Sequence, residues 1–216
     1  MKHMAKKILR KLVRACGFEL VRCTPQQRSC LRSNPGLHYR DFVVQEAVAL
    51  PVGEISLAEA RFLGNLVRDL KTDGPVIEVG TLFGWATRVM ALQKSKDREL
   101  ITIDDYSWNP LGLSPDMHFR ITEQVLSEAI GKFNVRQIRM DKNDFYSSYA
   151  GETPALVFFD AVHTYEEVRV DIDWAKNVNA VVICGHDYNS KEYPGVARAV
   201  DEFGGPRDVV ETLWVL

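Results

Sequence analysis

From residue 74 onward, short apolar runs alternate with longer stretches whose apolar residues recur every third or fourth position. The runs are VIEV (76–79), LITID (100–104), VRQIRM (135–140), ALVFFD (155–160) and AVVIC (180–184). Their length and their content of Val, Ile and Phe predict buried strands. Between them, helical patterns cover residues 85–94, 116–131, 165–178 and 195–203. This alternation predicts βαβ units, hence an α/β fold with a mostly parallel sheet and helices on both faces. Upstream, Ser56 and Glu59 form a capping-box pattern, and Leu63, Leu66, Val67 and Leu70 line one face of the helix it opens. Asp73-Gly74-Pro75 ends that segment. The tail RDVVETLWVL adds one strand or a cramped pair.

The first forty residues follow a different pattern. KKILRKLVRACGF sets Ile8, Leu9, Leu12, Val13 and Cys16 on one helical face and Lys6, Lys7, Arg10, Lys11 and Arg14 on the others. Residues 22–40, with Pro25 and Pro35, read as a linker. Residues 1–40 carry ten Lys or Arg against Glu19 alone, a charge of +9, while the other 176 residues carry 17 basic and 28 acidic side chains, a charge of −11. The expected organisation is a basic helical extension over 1–40 and one domain over 41–216. The amphipathic face is expected to dock on the domain or on a second subunit, giving a homodimer. The competing expectation is weak contact of residues 1–20 with an anionic membrane surface.

An acidic body argues against a broad nucleic-acid surface. No apolar run approaches the length of a membrane span, and Lys and Arg interrupt the N-terminal apolar positions where a signal peptide would be continuous. Cys16, Cys23, Cys30 and Cys184 form no C-x-x-C pair. The expected setting is therefore a reducing cytoplasm, with or without attachment to the inner face of the membrane.

In open α/β sheets, ligands bind beyond the carboxyl ends of the strands. Here the first strand end reads EVGTLFGWAT, in which Gly80 and Gly84 permit tight turning and close backbone approach to a ligand. The second ends in Asp104-Asp105, suited to a ribose diol. The third ends near Asp141-Lys142-Asn143, the fourth at Asp160 with His163 beyond it, and the fifth in Gly185-His186-Asp187-Tyr188. Polar groups at five successive strand ends would converge on one rim. Each has a plainer explanation: helix packing for Gly80 and Gly84, a cap for Asp104, a structural hydrogen bond for His163. The first turn also lacks the G-x-G-x-x-G of a dinucleotide fold.

Taken in order, EVGTLFGWAT, TIDDYSWNPLG, FFDAVHTYEEV, ICGHDY, PGVARAVDEFG and the closing LWVL resemble a class I S-adenosylmethionine-dependent methyltransferase. The likeness is to the macrocin-type sugar O-methyltransferases and the cephalosporin-hydroxylase group, over roughly residues 50–216. It implies that Glu78, Gly80, Thr81, Gly84, Trp85 and Thr87 surround the methionine end of the cofactor. Asp104 and Asp105 would hold the ribose, and Asp141 and Lys142 would lie near the adenine. Asp160 would sit under the sulfonium and, with His186 and Asp187, ligate a divalent metal (Mg, Mn or Fe).

The departures are informative. Ala86 stands where many relatives have Ser, which leaves Thr87 to meet the cofactor carboxylate. Val162 stands where the sugar enzymes have a second Asp, the base, so that task falls to His163, with His186 as the competing catalytic residue if it is not spent as a ligand. His186 replaces an acid, and imidazole suits Mn²⁺ or Fe²⁺ better than Mg²⁺. The implied reaction is O-methylation of a sugar, glycolipid or small natural product. The loop YSWNPLGLSPDMHF (106–119) is expected to form a lid or acceptor wall, or to pack on the N-terminal segment. A metal-dependent oxidoreductase or hydroxylase and a catalytically silent ligand-binding domain are the alternatives.

Overall fold

The computed structural model describes residues 55–216. The amphipathic extension, the linker and the boundary at residue 40 lie outside these residues. The first helix, α1 (Leu57–Arg68), starts where the capping pattern predicts. The Ser56 hydroxyl accepts from the Glu59 N–H, and the Glu59 carboxylate accepts from the Ser56 N–H. Ala60, Leu63 and Val67 turn its buried face inward.

The elements that follow are β1 (Val76–Val79), α2 (Trp85–Gln93), β2 (Leu100–Asp104), α3 (Pro115–Lys132), β3 (Val135–Arg139), α4 (Lys142–Ser148), β4 (Leu156–Phe159), α5 (Tyr165–Asn177), β5 (Val182–Gly185), α6 (Pro194–Glu202), β6 (Asp208–Val210) and β7 (Leu213–Val215). Four of the predicted helices and all five predicted strands are present, each within two residues of its expected bounds. The tail forms the cramped pair. The helix α4 was not predicted, because its sequence KNDFYSS has no apolar period, and the side chain of Asp141 starts it by accepting from the Asn143 N–H at 2.8 Å.

The seven strands run in the order β3-β2-β1-β4-β5-β7-β6. β1 through β5 are parallel, while β7 runs antiparallel between β5 and β6. The chain begins mid-sheet at β1, works outward to β3, and resumes on the other side of β1 with β4. The connections after β1 and β4 therefore leave toward opposite faces, which opens a crevice between them. Both faces are covered, which is why β4 reads as an unbroken apolar run and β1 as one broken only by Glu78. Alternate residues serve the two layers. Ile77, Val79, Ile101, Val157 and Phe159 pack with Ile172 and Ala175 of α5 and Val196 and Val200 of α6. Val76, Leu100, Leu156 and Phe158 pack with Leu63 and Val67 of α1 and Met90 of α2. β3, at the edge, is half exposed and carries Arg136 and Arg139, charges that discourage further strand pairing.

Candidate functional site

The turn after β1 forms one wall of the crevice. Gly80 and Gly84 have φ of 100° and 83°, a region that costs other residues strain. The sequence leaves tight turning, close approach to a ligand and helix packing open for this pair; the structure shows close approach of the chain to itself. A Cβ on Gly80 would collide with the Asp160 carbonyl oxygen, and one on Gly84 would lie 2.7 Å from Leu126 Cδ2. The turn is held by Asp104, whose Oδ2 accepts from the Thr81 and Leu82 N–H groups at 2.9 Å each. Asp104 Oδ1 accepts from the Tyr106 N–H at 2.6 Å. Burial pushes this carboxyl above its ordinary range, against those bonds. Asp104 thus builds the turn first, and any ribose contact is an addition to that role.

Glu78 lies wholly inside the sheet. Its Oε2 accepts from the Thr87 hydroxyl, while Oε1 has no partner among the described residues. Burial pushes its pKa up to about 8. Thr87 is itself fully buried. Its proton is directed at Glu78, so here the hydroxyl serves that carboxyl. Thr81 is likewise turned inward, sharing a hydrogen bond with the Thr102 hydroxyl. The Trp85 Nε1 is buried without a partner among the described residues.

The opposite wall carries the densest chemistry. Asp160, at the end of β4, and Asp187, after β5, face two imidazoles. His163 Nε2 lies 3.9 Å from Asp160 Oδ1 and 3.5 Å from Asp187 Oδ2. His186 Nδ1 lies 3.5 Å and 3.4 Å from the same two oxygens. Neither His186 Nδ1 nor Asp187 Oδ2 has a hydrogen-bond partner among the described residues. Asp187 has φ of 64°, a strained value for a non-glycine residue. The His163 ring rests 4.6 Å from that of Tyr193.

The two histidines differ in what stands behind them. His186 is buried and its Nε2 meets Glu59 Oε2 at 3.2 Å and Thr212 Oγ1 at 2.9 Å. Burial pushes His186 down, but the surrounding carboxylates of Asp160, Asp187 and Glu59 outweigh it and hold its pKa up to about 12. Burial pushes Glu59 up, and its bonds to His186, Ser56 and Thr212 reverse this, to about 2. The donor atoms that lie within 4.8 Å of one another belong to Asp160, His163 and Asp187. His163 thus joins the expected set of Asp160, His186 and Asp187 as a further candidate. Contacts from α1 and from Thr212 hold the far edge of His186, and its Nδ1 stays as close to the two carboxylates as His163 Nε2.

A cavity of about 280 Å³ joins the two walls, lined by Leu82, Asp104, Trp108, Asp141, Asp160 and His163 among others. Asp141 caps α4, and Asp105 accepts from the Ser107 N–H at 2.8 Å. Lys142 borders the cavity, and its ammonium turns inward to Asp171 Oδ1 and to Glu167 Oε2 at 3.0 Å. In the loop 106–119, His118 donates from Nε2 to the Leu82 carbonyl at 2.9 Å and packs on Phe83 and Tyr106. Trp108 remains 59% exposed at the cavity mouth. The base of this loop is packing, and its tip is free to meet a ligand. A larger groove of about 790 Å³, near Arg98, Arg136 and Glu152, holds none of the rim residues. Glu59, Thr212 and Tyr193 escaped the sequence reading, since none lies at the end of a predicted parallel strand.

Residues 77–188 match the family model described as a methyltransferase domain. Among solved structures, the chain resembles the O-methyltransferase from Bacillus cereus in complex with SAH, at 18% identity over 84% of this chain and 86% of that one, TM-score 0.58. It also resembles the O-methyltransferase TomG from Streptomyces achromogenes, involved in tomaymycin synthesis and in complex with SAM, at 19% identity over 89% and 96%, TM-score 0.58. A third likeness is to cofactor-bound Rv0187 from MTB, at 20% identity over 85% and 86%, TM-score 0.59. At such identities the likeness carries the fold. No curated protein matches the sequence.

Proposed function

From the premise that the chain belongs to the methyltransferase-domain family, we propose that it transfers a methyl group from S-adenosylmethionine to a hydroxyl oxygen of a small-molecule acceptor. The observation that carries this reading is the crevice. One wall is the turn held by Asp104, with Glu78 and its unpartnered Oε1 buried in β1 behind it, and the other presents Asp160 and His163 across a cavity of about 280 Å³. The bare oxygen suits the ammonium of a methionine moiety, and the cavity reaches the ends of β2 and β3, where a nucleoside would lie. When bound, the sulfonium supplies an electrophilic methyl carbon.

The chain's own residues then have three tasks. The turn held by Asp104 fixes the cofactor wall, and alignment of this kind contributes much of the rate. His163, at the cavity and near Asp187, accepts the proton that the acceptor hydroxyl loses. Asp160 and Asp187 hold positive charge beside the reacting oxygen. A sugar or related polyol is the acceptor favoured by the sequence likeness, and the cavity mouth at Trp108 supports a ring-shaped one.

The same three side chains, Asp160, His163 and Asp187, also suit a divalent ion, because their donor atoms lie within 4.8 Å of one another. Two carboxylates and an imidazole favour Mn²⁺ or Fe²⁺ over Mg²⁺. Titration calorimetry with S-adenosylmethionine and S-adenosylhomocysteine tests the cofactor, and cofactor consumption against sugars, nucleotide sugars and phenols tests the acceptor. Full turnover after exhaustive chelation keeps His163 as the base. Loss restored by Mn²⁺ makes it a ligand instead. Absence of binding to either nucleoside overturns the proposal.

A further inference from the structure

The rim depends on a residue well outside the matched segment. Glu59, on α1, is buried, and its carboxylate accepts four hydrogen bonds. Oε2 meets the Ser56 N–H at 2.7 Å and His186 Nε2 at 3.2 Å. Oε1 accepts from the Thr212 N–H and the Thr212 hydroxyl, both at 2.8 Å. Since the Thr212 proton points to Glu59, the Thr212 oxygen offers only a lone pair to His186 Nε2, 2.9 Å away. Both neighbours of Nε2 are therefore acceptors, and Nε2 carries a proton.

We propose that Glu59 is a positioning residue of the methyl-transfer site: it fixes His186 as an Nε2–H ring and turns the Nδ1 edge toward Asp160 and Asp187. The inference deepens the function proposed above and rests on it. The geometry is that of an outer carboxylate orienting a histidine, a device usually met behind metal ligands. It ties three distant parts of the chain, α1, the turn after β5 and the β6–β7 turn, to one ring. A carboxylate whose only task was to cap α1 would need the Ser56 contact and none of the others.

That distinction sets the experiment. Glu59→Gln keeps the helix start, because glutamine also serves at this capping position. It presents an amide –NH₂ to one of two sets of donors and so loosens His186. Side-chain ¹H–¹⁵N spectra of the ligand-free protein are expected to show an exchange-protected His186 Nε2–H, lost in Glu59→Gln. With S-adenosylmethionine and an acceptor, kcat is expected to fall by about 10- to 100-fold, the range for such outer partners, with the cofactor KM unchanged. Adding Glu59→Gln to His186→Ala is expected to cost nothing further, because the two act as one unit. Ser56→Ala breaks the cap alone, and is expected to lower Tm while leaving kcat unchanged. If Glu59→Gln fails to fold, Thr212→Val makes the same measurement, with a smaller fall in the same direction. An unchanged kcat, a loss that adds to that of His186→Ala, or a protected Nε2–H surviving in Glu59→Gln overturns the proposal. A wild-type protein that binds no S-adenosylmethionine overturns the function, while the spectra still decide the orientation of His186.

Discussion

Glu78 enters the sheet as a carboxyl with one oxygen on the Thr87 hydroxyl and the other bare. Its pKa of about 8 against an ordinary 4.5 means that the folded chain holds a proton the unfolded chain releases. Its stabilising effect is full below pH 4.5 and is lost as pH rises through about 8, at up to about 1.4 kcal/mol per pH unit. Thermal unfolding of the ligand-free protein is expected to move to lower temperature between pH 5 and 8, with a shallower slope in Glu78→Gln. His186, raised to about 12, acts in the same direction above pH 6.5 in both proteins, so the difference between them isolates Glu78. At the same scale, His163→Ala is expected to lower kcat by roughly 10²–10⁴-fold with cofactor affinity nearly unchanged. A normal turnover in that variant would remove His163 from the chemistry. Asp104→Ala removes a carboxylate that three backbone N–H groups share. Hydrogen bonds to a charged group are each worth about 1.5–3 kcal/mol. Calorimetry and unfolding are expected to show weaker cofactor binding and lower stability together, since one side chain builds the turn and borders the cavity.

At the scale of elements, α4 is short, and it is fastened to α5 by a buried ion pair. Lys142 meets Asp171, which also accepts from the Tyr146 hydroxyl at 2.7 Å, and the Tyr146 ring stacks on Trp174 at 4.3 Å. Burial pushes the Asp171 carboxyl up, against the pull of Lys142. Asp171→Ala leaves that ammonium with Glu167 alone, and is expected to cost less than the roughly 3–5 kcal/mol of a buried charge stripped of every partner, read in denaturant unfolding. Replacing both partners with apolar residues, as in Lys142→Met with Asp171→Leu, is expected to recover much of the loss. Failure to recover would show that the charges hold α4 in place and that its apolar contacts do not. A second fastening joins β5 to β7. A Cβ on Gly185 would collide with the Trp214 ring, whose Nε1 donates to the His186 carbonyl at 3.1 Å. Gly185→Ala is expected to cost about 1–3 kcal/mol of stability through overpacking, with a fall in activity because His186 follows directly.

At the scale of the whole molecule, the crevice follows from strand order. Starting at β1 and returning at β4 sets two turns on opposite faces, so the ends of β1 to β4 border one opening. Among the described residues no helix is long and apolar enough to cross a membrane. The +9 charge of residues 1–40 sits apart from this architecture in the sequence. Deleting those residues is expected to leave S-adenosylmethionine affinity unchanged by calorimetry, while altering the oligomeric state or liposome binding. Unfolding of the truncated protein would place them in the core.

Strand and helix positions were legible in the sequence because both faces of the sheet are buried. Burial forces unbroken apolar runs such as LVFF, and a two-sided helical layer forces the intervening period of three to four. The capping box of α1 and the gathering of Asp104, Asp141, Asp160 and Asp187 at one rim were legible too, since they follow from local chemistry and strand direction. The direction each polar side chain takes was not. Thr87 and Lys142 sit where a cofactor contact was expected, yet they turn to Glu78 and Asp171, partners fixed only once the helices pack. His163 joins His186 beside Asp160 and Asp187 for the same reason. The contact between Glu59 and His186 spans 127 residues, and no local pattern encodes it. Hydrophobic periodicity records which face of an element is buried, but the pairing of buried polar groups is a three-body matter of distance and desolvation, decided when α1, β5 and the β6–β7 turn meet.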